Sequence, residues 1–523
     1  MKLATTAQMR QLDRRTMDEL GIPGEALMER AGEGVVRAVR RLTELSGGCH
    51  PAIHLAAGKG NNGGDAFAAA RLLKELGYSV TVWLAGATVD VKGDALTHLN
   101  RMKAAGIELR ELPSVKDWDR VCTGRPCGEI VVDGLLGTGT DGPAQGAAAA
   151  AIRCVNAWSH DALVVSIDIP SGLNADTGQA EGEAVRADVT VTMGLPKRGF
   201  VEPSALEYVG SLEVVDIGIP QEFVDHLLME GEKELIALAD LRPLMPRRAR
   251  LSHKGTFGHV LLIGGSRGYS GSIALSARAA LRSGAGLVTV LVPASIAPIV
   301  AGFMPEVMVT GVAETAQGTL GYELWNTWQE RLDEFDAVLL GPGLTRHDQS
   351  LQLVRSIIRD CPRPLVLDAD AISILEGQAH WMGKARNPLA ITPHPGELAR
   401  LMSTTVEKIQ ADRCGAVRAA VKATGATVVL KGAGTVIGQA DQPLQVNING
   451  NPGMATGGTG DVLAGMLTGL LGQGFDAFDA ACTSVYLHGR AGDRAALRKS
   501  QAGLIAGDLI EEIPSAFREL EGR

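Results

Sequence analysis

Aromatic residues, basic runs and long apolar runs are all scarce in this 523-residue chain. Phe, Trp and Tyr together make up 4% of the sequence, and the net charge is −9. Without a concentrated basic surface, the chain lacks the electrostatic footprint of a nucleic-acid-binding protein. Residues 1–6 contain no apolar signal core, and no apolar run reaches the length of a membrane span. We therefore expect a cytoplasmic protein that binds neither nucleic acid nor membrane.

The seven cysteines are scattered along the chain and form no CxxC pair. Their odd number and wide spacing give neither a disulfide framework nor a paired metal motif. Cys122 and Cys127 are the closest two, and we expect both to be free thiols.

Glycine is abundant instead, with 65 residues, and glycine clusters follow short β-branched runs that alternate with helical patterns. Nearly continuous apolar strands separated by helices are typical of a parallel sheet covered on both faces. The predicted strands are Ala52–Ala56, Ser79–Leu84, Glu129–Asp133, Leu163–Asp168, Ala187–Met193, Leu212–Val215, His259–Ile263, Gly286–Val292, Ala337–Leu340, Pro364–Leu367, Leu389–Ile391 and Thr427–Leu430.

Residues 220–250 interrupt this alternation with charged residues and prolines. The chain is also too long for one ordinary core. We therefore predict two α/β domains, residues 1–225 and 235–523, with the boundary near residue 230.

Polar groups follow three predicted strands of the first domain, where doubly wound sheets bind ligands. Residues 61–65 come before a helix predicted over residues 66–76, and residues 137–143 form a glycine-rich loop. Asp168 ends a strongly apolar strand. Tight turns and a capping aspartate are the structural alternatives. Gly137, Gly139 and Gly142 spell GxGxxG, but no clear helix follows at the spacing of a dinucleotide fingerprint. The candidate ligand-binding residues are Asn61, Asn62, Gly63, Gly64, Asp65, Gly137, Thr138, Gly139, Thr140, Asp141, Gly142, Pro143 and Asp168.

In the second domain, residues 451–460 carry four glycines and two threonines, and Asp461 then begins an apolar helical pattern. Unpaired backbone N–H groups and the helix dipole at such a turn form a cradle for an anion. A carboxylate at its mouth is suited to taking a proton during phosphate chemistry. The alternative is that Asp461 is only a helix cap.

Two further segments of the second domain follow predicted strands. Lys431, Gly432, Ala433, Gly434 and Thr435 bring a cation and a hydroxyl to a flexible backbone, which suits a polyphosphate, although such a segment can also be a simple hairpin. His394 is held between two prolines, and we favour substrate contact over a surface role or metal ligation for it.

The segments NNGGD (61–65), VDGLLGTG (132–139) and DIPSGL (168–173) resemble the N-terminal domain of the YjeF family, the NAD(P)HX epimerases. The resemblance covers about the first 220 residues. It implies a Rossmann-like doubly wound fold that interconverts the R and S forms of hydrated NAD(P)H. It also implies a potassium ion near Asn62, Asp133 and Ser171, with Asp168 as a catalytic residue close to the substrate.

The second half resembles the NAD(P)HX dehydratase domain of the ribokinase-like superfamily. The matching segments are KGTFGHVLLIGGS (254–266), GPGL (341–344), DAD (368–370), TPHPGE (392–397), KGAGT (431–435) and NPGMATGGTGDVLAG (451–465). Ser272 stands where the family pattern favours alanine.

The second resemblance implies that a nucleotide, ADP or ATP with Mg2+, phosphorylates the hydroxyl of the hydrate, and that the phosphate is then expelled. Asp461 would be the base, and Gly343 and His394 would contact the hydrate. Residues 431–435 and Gly460 would hold the nucleotide, for which the fused domain arrangement favours ADP.

Together these features predict a two-domain repair enzyme acting on NADHX and NADPHX, and we expect it to be a homo-oligomer. One alternative is a kinase for a vitamin or sugar alcohol, because a similar Gly-Thr-Gly-Asp cradle serves kinases. Another is that the first half only binds partners, although the intact segment 61–65 and Asp168 argue against it.

Overall fold

The computed structural model describes residues 1–45, 51–123, 130–139, 142–228 and 233–522. Its backbone contacts divide the chain into two units, residues 1–231 and 232–523. None of the helices in these described ranges is both long and apolar enough to cross a membrane.

The first domain is built on a parallel sheet of short, largely buried strands. Its described strands are β1 Ala52–Ala57, β2 Ser79–Leu84, β3 Glu108–Glu111, β4 Ile130–Gly134, β5 Leu163–Ile167, β6 Val189–Met193 and β7 Ser211–Val215. Its described helices are α1 Thr6–Leu20, α2 Gly24–Leu45, α3 Asn61–Glu75, α4 Gly93–Ala104, α5 Val115–Cys122, α6 Gly146–Trp158, α7 Leu206–Val209 and α8 Gln221–Leu227.

The strand order of this sheet is β3-β2-β1-β4-β5-β6-β7. The chain winds outward from β1 in one direction to β3, then returns to β4 and winds in the other direction. Loops therefore diverge above β1 and β4, and such a switch point is where doubly wound sheets bind ligands. The parallel register places Ala56 beside Asp133 and Asp133 beside Ser166, so the polar strand ends meet at one edge.

The second domain has a larger sheet. Its described strands are β8 Lys233–Leu235, β9 His259–Ile263, β10 Leu287–Pro293, β11 Met308–Val312, β12 Ala337–Leu340, β13 Leu365–Leu367, β14 Leu389–Ile391, β15 Thr427–Leu430, β16 Thr435–Gly438 and β17 Leu444–Asn447. Its described helices are α9 Leu238–Leu241, α10 Ser270–Arg282, α11 Ala297–Phe303, α12 Glu323–Trp328, α13 Asp348–Asp360, α14 Asp370–Ser373, α15 Pro395–Leu401, α16 Val406–Ala411, α17 Arg413–Thr424, α18 Thr459–Gly472, α19 Ala477–Arg498 and α20 Ala506–Glu521.

The strand order of the second sheet is β11-β10-β9-β12-β13-β14-β15-β16-β17-β8. The strands from β11 to β15 are parallel, whereas β16 is antiparallel to both β15 and β17. The carboxyl ends of β13, β14 and β15 therefore open toward the same side, which brings residues 368–370, 392–397 and 431–435 to one edge.

Helix α18 is buried along most of its length and lies in the centre of one hydrophobic core. Fully buried Leu467 and Leu470 each contribute about 1.5–3 kcal/mol to burying this helix. Gly465 lets α10 approach closely, because a Cβ there would lie 2.1 Å from the carbonyl oxygen of Ser276. The core thus fixes the start of α18, where Asp461 lies, against α10.

The structure corrects several predicted elements. The helix predicted over residues 66–76 begins at Asn61, so the segment 61–65 forms its first turns. Residues 431–435 lie at a hairpin between β15 and β16, as the alternative interpretation had it. The sequence prediction missed β3, β8, β11, β16 and β17, which include a strand at each edge of the second sheet. In β3 (ELRE) only Leu109 is apolar, so the strand carries little hydrophobic signal.

Candidate active sites

Asp133, at the end of β4, is fully buried under the switch point of the first sheet. Its Oδ2 accepts hydrogen bonds from Ser166 Oγ (2.8 Å) and the Ser171 N–H (2.9 Å), and its Oδ1 accepts from the Leu135 N–H (3.2 Å) and Ser171 Oγ (2.6 Å). Burial raises the pKa of Asp133 above its usual value, and these hydrogen bonds offset part of that rise. The groups that shift this pKa are all neutral donors.

Asn62 faces the same region from the first turn of α3. Its Nδ2 donates to the Leu136 carbonyl at 2.9 Å, whereas its Oδ1 is buried and has no hydrogen-bond partner. Gly137 lies against this side chain, since a Cβ at Gly137 would be 3.3 Å from the Asn62 Cβ. The structure therefore brings together Asn62, Asp133 and Ser171, and it leaves one buried amide oxygen available to a ligand.

Asp168 follows β5 in a left-handed backbone conformation, with φ of 62°. A non-glycine residue rarely adopts this conformation, which costs on the order of 1 kcal/mol. The side chain forms an ion pair with the Lys197 ammonium group, and its Oδ1 also accepts from the Met193 N–H at 3.3 Å. Lys197 is 1% exposed and also donates to Thr192 Oγ1 at 2.9 Å. The strained turn and the buried cation hold the carboxylate at the mouth of the site.

The sequence prediction missed Lys197 because no glycine-rich motif marks it. A lysine directly after the apolar segment Gly194-Leu195-Pro196 was the available signal.

Asp65, in the first turns of α3, belongs to the same electrostatic cluster. Burial raises its pKa well above the usual value, and the nearby Asp168 and Asp13 carboxylates raise it further. The sequence prediction placed Asp65 and Asp168 in one site, but it did not include Asp13.

The glycine-rich loop after β4 forms one wall of this region. Gly137 and Gly142 line a cleft together with Ile169, Gly172 and Leu173. Pro143 lies against Gly182, and the Thr138 carbonyl accepts a hydrogen bond from Arg10. The predicted residues Thr140 and Asp141 lie outside the described residues.

In the second domain, Asp461 lies in the first turn of α18, after Gly458 with φ of 94°. Burial and the neighbouring Asp368 raise the pKa of Asp461 to about 7, while a hydrogen bond with the Ser272 side chain and the charge of Lys431 lower it. Ser276 Oγ donates to the Asp461 carbonyl at 2.9 Å. Two serines of α10 therefore hold the side chain and the backbone of Asp461.

Lys431 extends from the hairpin toward the glycine cradle. Its Nζ lies 2.8 Å from Asp368 Oδ1 and 3.9 Å from Glu397 Oε2. A Cβ at Gly460 would lie 3.2 Å from this Nζ, so the ammonium group borders the cradle. Burial lowers the pKa of Lys431, but Asp368 and Glu397 outweigh burial, and the net pKa is above the usual value.

Glu397 and His394 face this cluster from the start of α15. Burial and Asp368 raise the pKa of Glu397 to about 7, although Lys431 lowers it. The Glu397 Oε2 accepts from the His394 N–H at 2.8 Å. The ring of His394 is 52% exposed, and its Nδ1 accepts from the Gly396 N–H at 3.0 Å. Burial and the charges of Lys431 and Arg400 lower the pKa of His394, so the ring is neutral at pH 7.

The buried guanidinium of Arg413 supports the hairpin from below. It donates to the carbonyls of Leu430 (2.9 Å), Lys431 (3.2 Å) and Gly434 (3.3 Å). Thr435 Oγ1 donates to the Gly432 carbonyl at 2.8 Å, while Gly432 and Ala433 are exposed. The tip of the hairpin is thus rigid and open to a ligand.

Gly343 lies in the loop after β12 with φ of 68°, and a Cβ there would lie 2.7 Å from the Tyr269 carbonyl oxygen. Sequence reasoning assigned no role to Asp368 or Glu397, although both lie within the motifs quoted above. The available signal was a carboxylate that follows a predicted strand. Arg413 and His488 stand in helices without a motif. His488 Nε2 donates to the Thr459 carbonyl at 2.9 Å and so holds the first turn of α18.

The chain is thus a two-domain α/β protein with a polar cluster at a sheet switch point in the first domain and a cluster of titratable groups beside a glycine-rich helix start in the second. A family model described as YjeF-related protein N-terminus matches residues 24–199, and one described as NAD(P)H-hydrate dehydratase matches residues 260–515.

Curated relatives match over the whole length of the chain. A protein of Moorella thermoacetica named bifunctional NAD(P)H-hydrate repair enzyme Nnr is 41% identical over 521 residues, covering 100% of this chain and 97% of the relative. An Escherichia coli protein of the same name is 34% identical, covering 97% and 92% of the two chains. The chain belongs to the bifunctional NAD(P)H-hydrate repair enzyme family, which confirms the family predicted from the motifs.

A solved structure of the ADP/ATP-dependent NAD(P)H-hydrate dehydratase from Bacillus subtilis, co-crystallised with ATP and Mg2+, is 30% identical to this chain. It aligns with 55% of this chain and 98% of its own length, with a TM-score of 0.49.

Proposed function

We propose that the chain repairs hydrated NADH and NADPH in two steps. The first domain interconverts the R and S hydrates, and the second domain dehydrates the S hydrate with ADP, or alternatively ATP, as phosphoryl donor. The observation that carries this proposal is Asp461, a half-buried carboxylate with a pKa of about 7, at the mouth of a glycine cradle beside Lys431. Family membership supplies the substrate class.

In the second domain, Asp461 takes the proton of the substrate hydroxyl while that oxygen attacks the terminal phosphorus of the nucleotide. The backbone amides of residues 457–460 and the Lys431 ammonium group stabilise the phosphoryl group in transit. The C–O bond then breaks, phosphate leaves with the hydroxyl oxygen, and loss of a ring proton restores the dihydronicotinamide. The balance is one hydrate and one ADP consumed for one NAD(P)H, one AMP and one phosphate.

The pKa of Asp461 suits this role. An acid–base group works best when its pKa lies near the working pH, because a useful fraction is ionised and the carboxylate is still basic. At pH 7 about half of the Asp461 side chains are ionised, whereas an ordinary aspartate would be a weaker base by roughly a thousandfold.

The hairpin of residues 431–435 and Gly460 hold the nucleotide in this proposal. The exposed backbone of Gly432 and Ala433 and the rigid support from Arg413 favour this. Among the described residues, no group of three or more His, Cys, Asp or Glu side chains could by itself hold a metal ion. Mg2+ would therefore arrive with the nucleotide phosphates, which agrees with its reluctance to give up water for protein cages.

In the first domain, Asp168 moves the proton of the substrate hydroxyl to the ring nitrogen as the bond between that nitrogen and the hydroxyl-bearing carbon breaks, and the resulting aldehyde closes again on its other face. The loops 61–65 and 137–143 contact the dinucleotide. We assign potassium to Asn62, Asp133 and Ser171. The fit is chemical: the donors are oxygen atoms, Asp133 is a buried carboxyl group surrounded by neutral hydrogen-bond donors, and Asn62 Oδ1 is buried without a partner. Bound potassium would supply the balancing charge.

The substitution Asp461→Asn tests the role of Asp461. We expect NAD(P)H formation from the S hydrate to fall at least about a thousandfold, with nucleotide binding retained, because Asn cannot accept the hydroxyl proton. Asp348→Asn is the matched control, since Asp348 is an exposed acidic residue in the first turn of α13. Equal, small effects of the two substitutions would mean that Asp461 only caps its helix.

A further inference from the structure

Helix α1 lies before the residues 24–199 that the first family model covers, yet it is attached to the first-domain site. Ala4 forms a parallel bridge with Lys197, in which the Ala4 N–H donates to the Pro196 carbonyl at 3.0 Å and the Arg198 N–H donates to the Ala4 carbonyl at 2.9 Å. Arg10 donates to the Thr138 carbonyl at 3.0 Å. The segment therefore contacts the residues around Lys197 and the glycine-rich loop after β4.

The packing of α1 fixes its rotation about its own axis. Met9 and Leu12 are buried in a cluster with Leu195, Phe223 and Val224. Thr5 caps the helix through a capping box with Gln8. A helix held at its start and along its apolar face presents Asp13 in a defined direction.

Asp13 is placed at a cost to stability. Its Oδ1 is buried and has no hydrogen-bond partner. The charged groups that act on it are Lys197, which follows β6, and Asp168, which follows β5, and Asp13 in turn acts on Asp65 of α3. Burial and Asp168 raise the pKa of Asp13 to about 6, and Lys197 lowers it. A half-buried carboxylate whose Oδ1 has no hydrogen-bond partner adds little to the stability of the fold, so its presence points to function.

We propose that Asp13 is a positioning residue of the first-domain reaction, and that its carboxylate competes with Asp168 for the Lys197 ammonium group. This inference rests on the proposed function. When Asp13 is ionised, Lys197 has a second negative neighbour, and Asp168 is freer to take the proton of the substrate hydroxyl. That proton goes to the ring nitrogen as its bond to the hydroxyl-bearing carbon breaks, and it returns to the oxygen when the ring closes on the other face, so the exchange of epimers consumes neither acid nor base.

The test uses the full chain with the isolated R hydrate and no nucleotide, and measures the appearance of the S hydrate by chromatography. We expect wild-type turnover to rise as the pH passes through about 6, where Asp13 ionises. In Asp13→Asn this rise disappears, and kcat above pH 7 falls about tenfold, the effect of one pKa unit, while KM changes less than about twofold. Asp18→Asn, on the exposed side of the same helix, keeps both the rate and the rise.

Thermal unfolding at pH 8 separates this role from a structural one. Burial raises the pKa of Asp13 to about 6, so its charged form destabilises the fold at pH 8, and Asp13→Asn should be at least as stable as the wild type, although it is slower. The inference is overturned if Asp13→Asn exchanges epimers like the wild type with the rise near pH 6 intact, or if it is slow only because it is unfolded. Failure of the wild type to exchange epimers at all would refute the proposed function instead.

Discussion

Replacing Lys431 by Met should destabilise the second domain and change its pH dependence. Lys431 Nζ is 2.8 Å from the carboxylate of Asp368, which is 1% exposed. Removing one partner of such a buried pair typically costs about 3–5 kcal/mol, because the other charge stays buried without compensation. Here Asp368 would keep a hydrogen bond from Thr392 Oγ1 at 2.7 Å. We therefore expect a loss of about 3 kcal/mol in the free energy of unfolding, at the lower end of that range.

The same substitution removes a positive charge that lowers the pKa of Asp461. In Lys431→Met the pKa of Asp461 should rise above about 7, and the acid limb of NAD(P)H formation should move to higher pH. The measurements are urea unfolding at pH 7 and the pH profile of kcat with saturating nucleotide. Lys422→Met, an exposed lysine on α17, is the control and should change stability by less than about 0.5 kcal/mol.

A double substitution provides the decisive comparison. If the loss in the free energy of unfolding arises because the Asp368 carboxylate stays buried without its cation, adding Asp368→Asn should restore part of the stability lost in Lys431→Met. The reasoning is refuted if Lys431→Met is as stable as Lys422→Met, or if adding Asp368→Asn destabilises the domain further by its full single-variant cost.

Two further predictions concern the support of the cradle. Ser272→Ala removes a hydrogen bond that lowers the pKa of Asp461, so the acid limb of dehydration should move to higher pH. Ser276→Ala loses bonds only to the carbonyl oxygens of Asp461 and Ser272, and it should keep the wild-type profile. Burial lowers the pKa of His488 to about 4. Stability of the second domain should therefore fall by about 3 kcal/mol as the pH drops from 6.5 to 4, because the unfolded state binds the proton first. Unfolding midpoints against pH should show this loss in the wild type and not in His488→Gln.

The positions of the ligand loops could be read from the sequence because central parallel strands are continuous apolar runs. Each run ends where its polar segment begins, as at Asp133 and at residues 392–397. Because the strands are parallel, their carboxyl ends lie together at one edge of the sheet. Edge strands such as β3 carry mostly charged side chains and give no such signal.

The partners of the proposed catalytic groups could not be predicted, because they depend on contacts between distant segments. Lys431 pairs with Asp368, 63 residues away, and this pairing decides that its ammonium group borders the cradle. Lys197 and Asp13 reach Asp168 from elements without a motif. Sequence patterns locate the loops, whereas the electrostatic balance of each site is a property of the folded domain.

The central claim is that one chain recovers both epimers of the hydrate. The direct measurement is the absorbance of reduced nicotinamide regained when the purified chain, excess ADP and an equal mixture of R and S hydrates are combined, with AMP and phosphate quantified at the end point. We predict complete recovery, with one AMP and one phosphate for each NAD(P)H formed. Recovery that stops at half, a stable phosphorylated product, or no dependence on nucleotide would contradict the account.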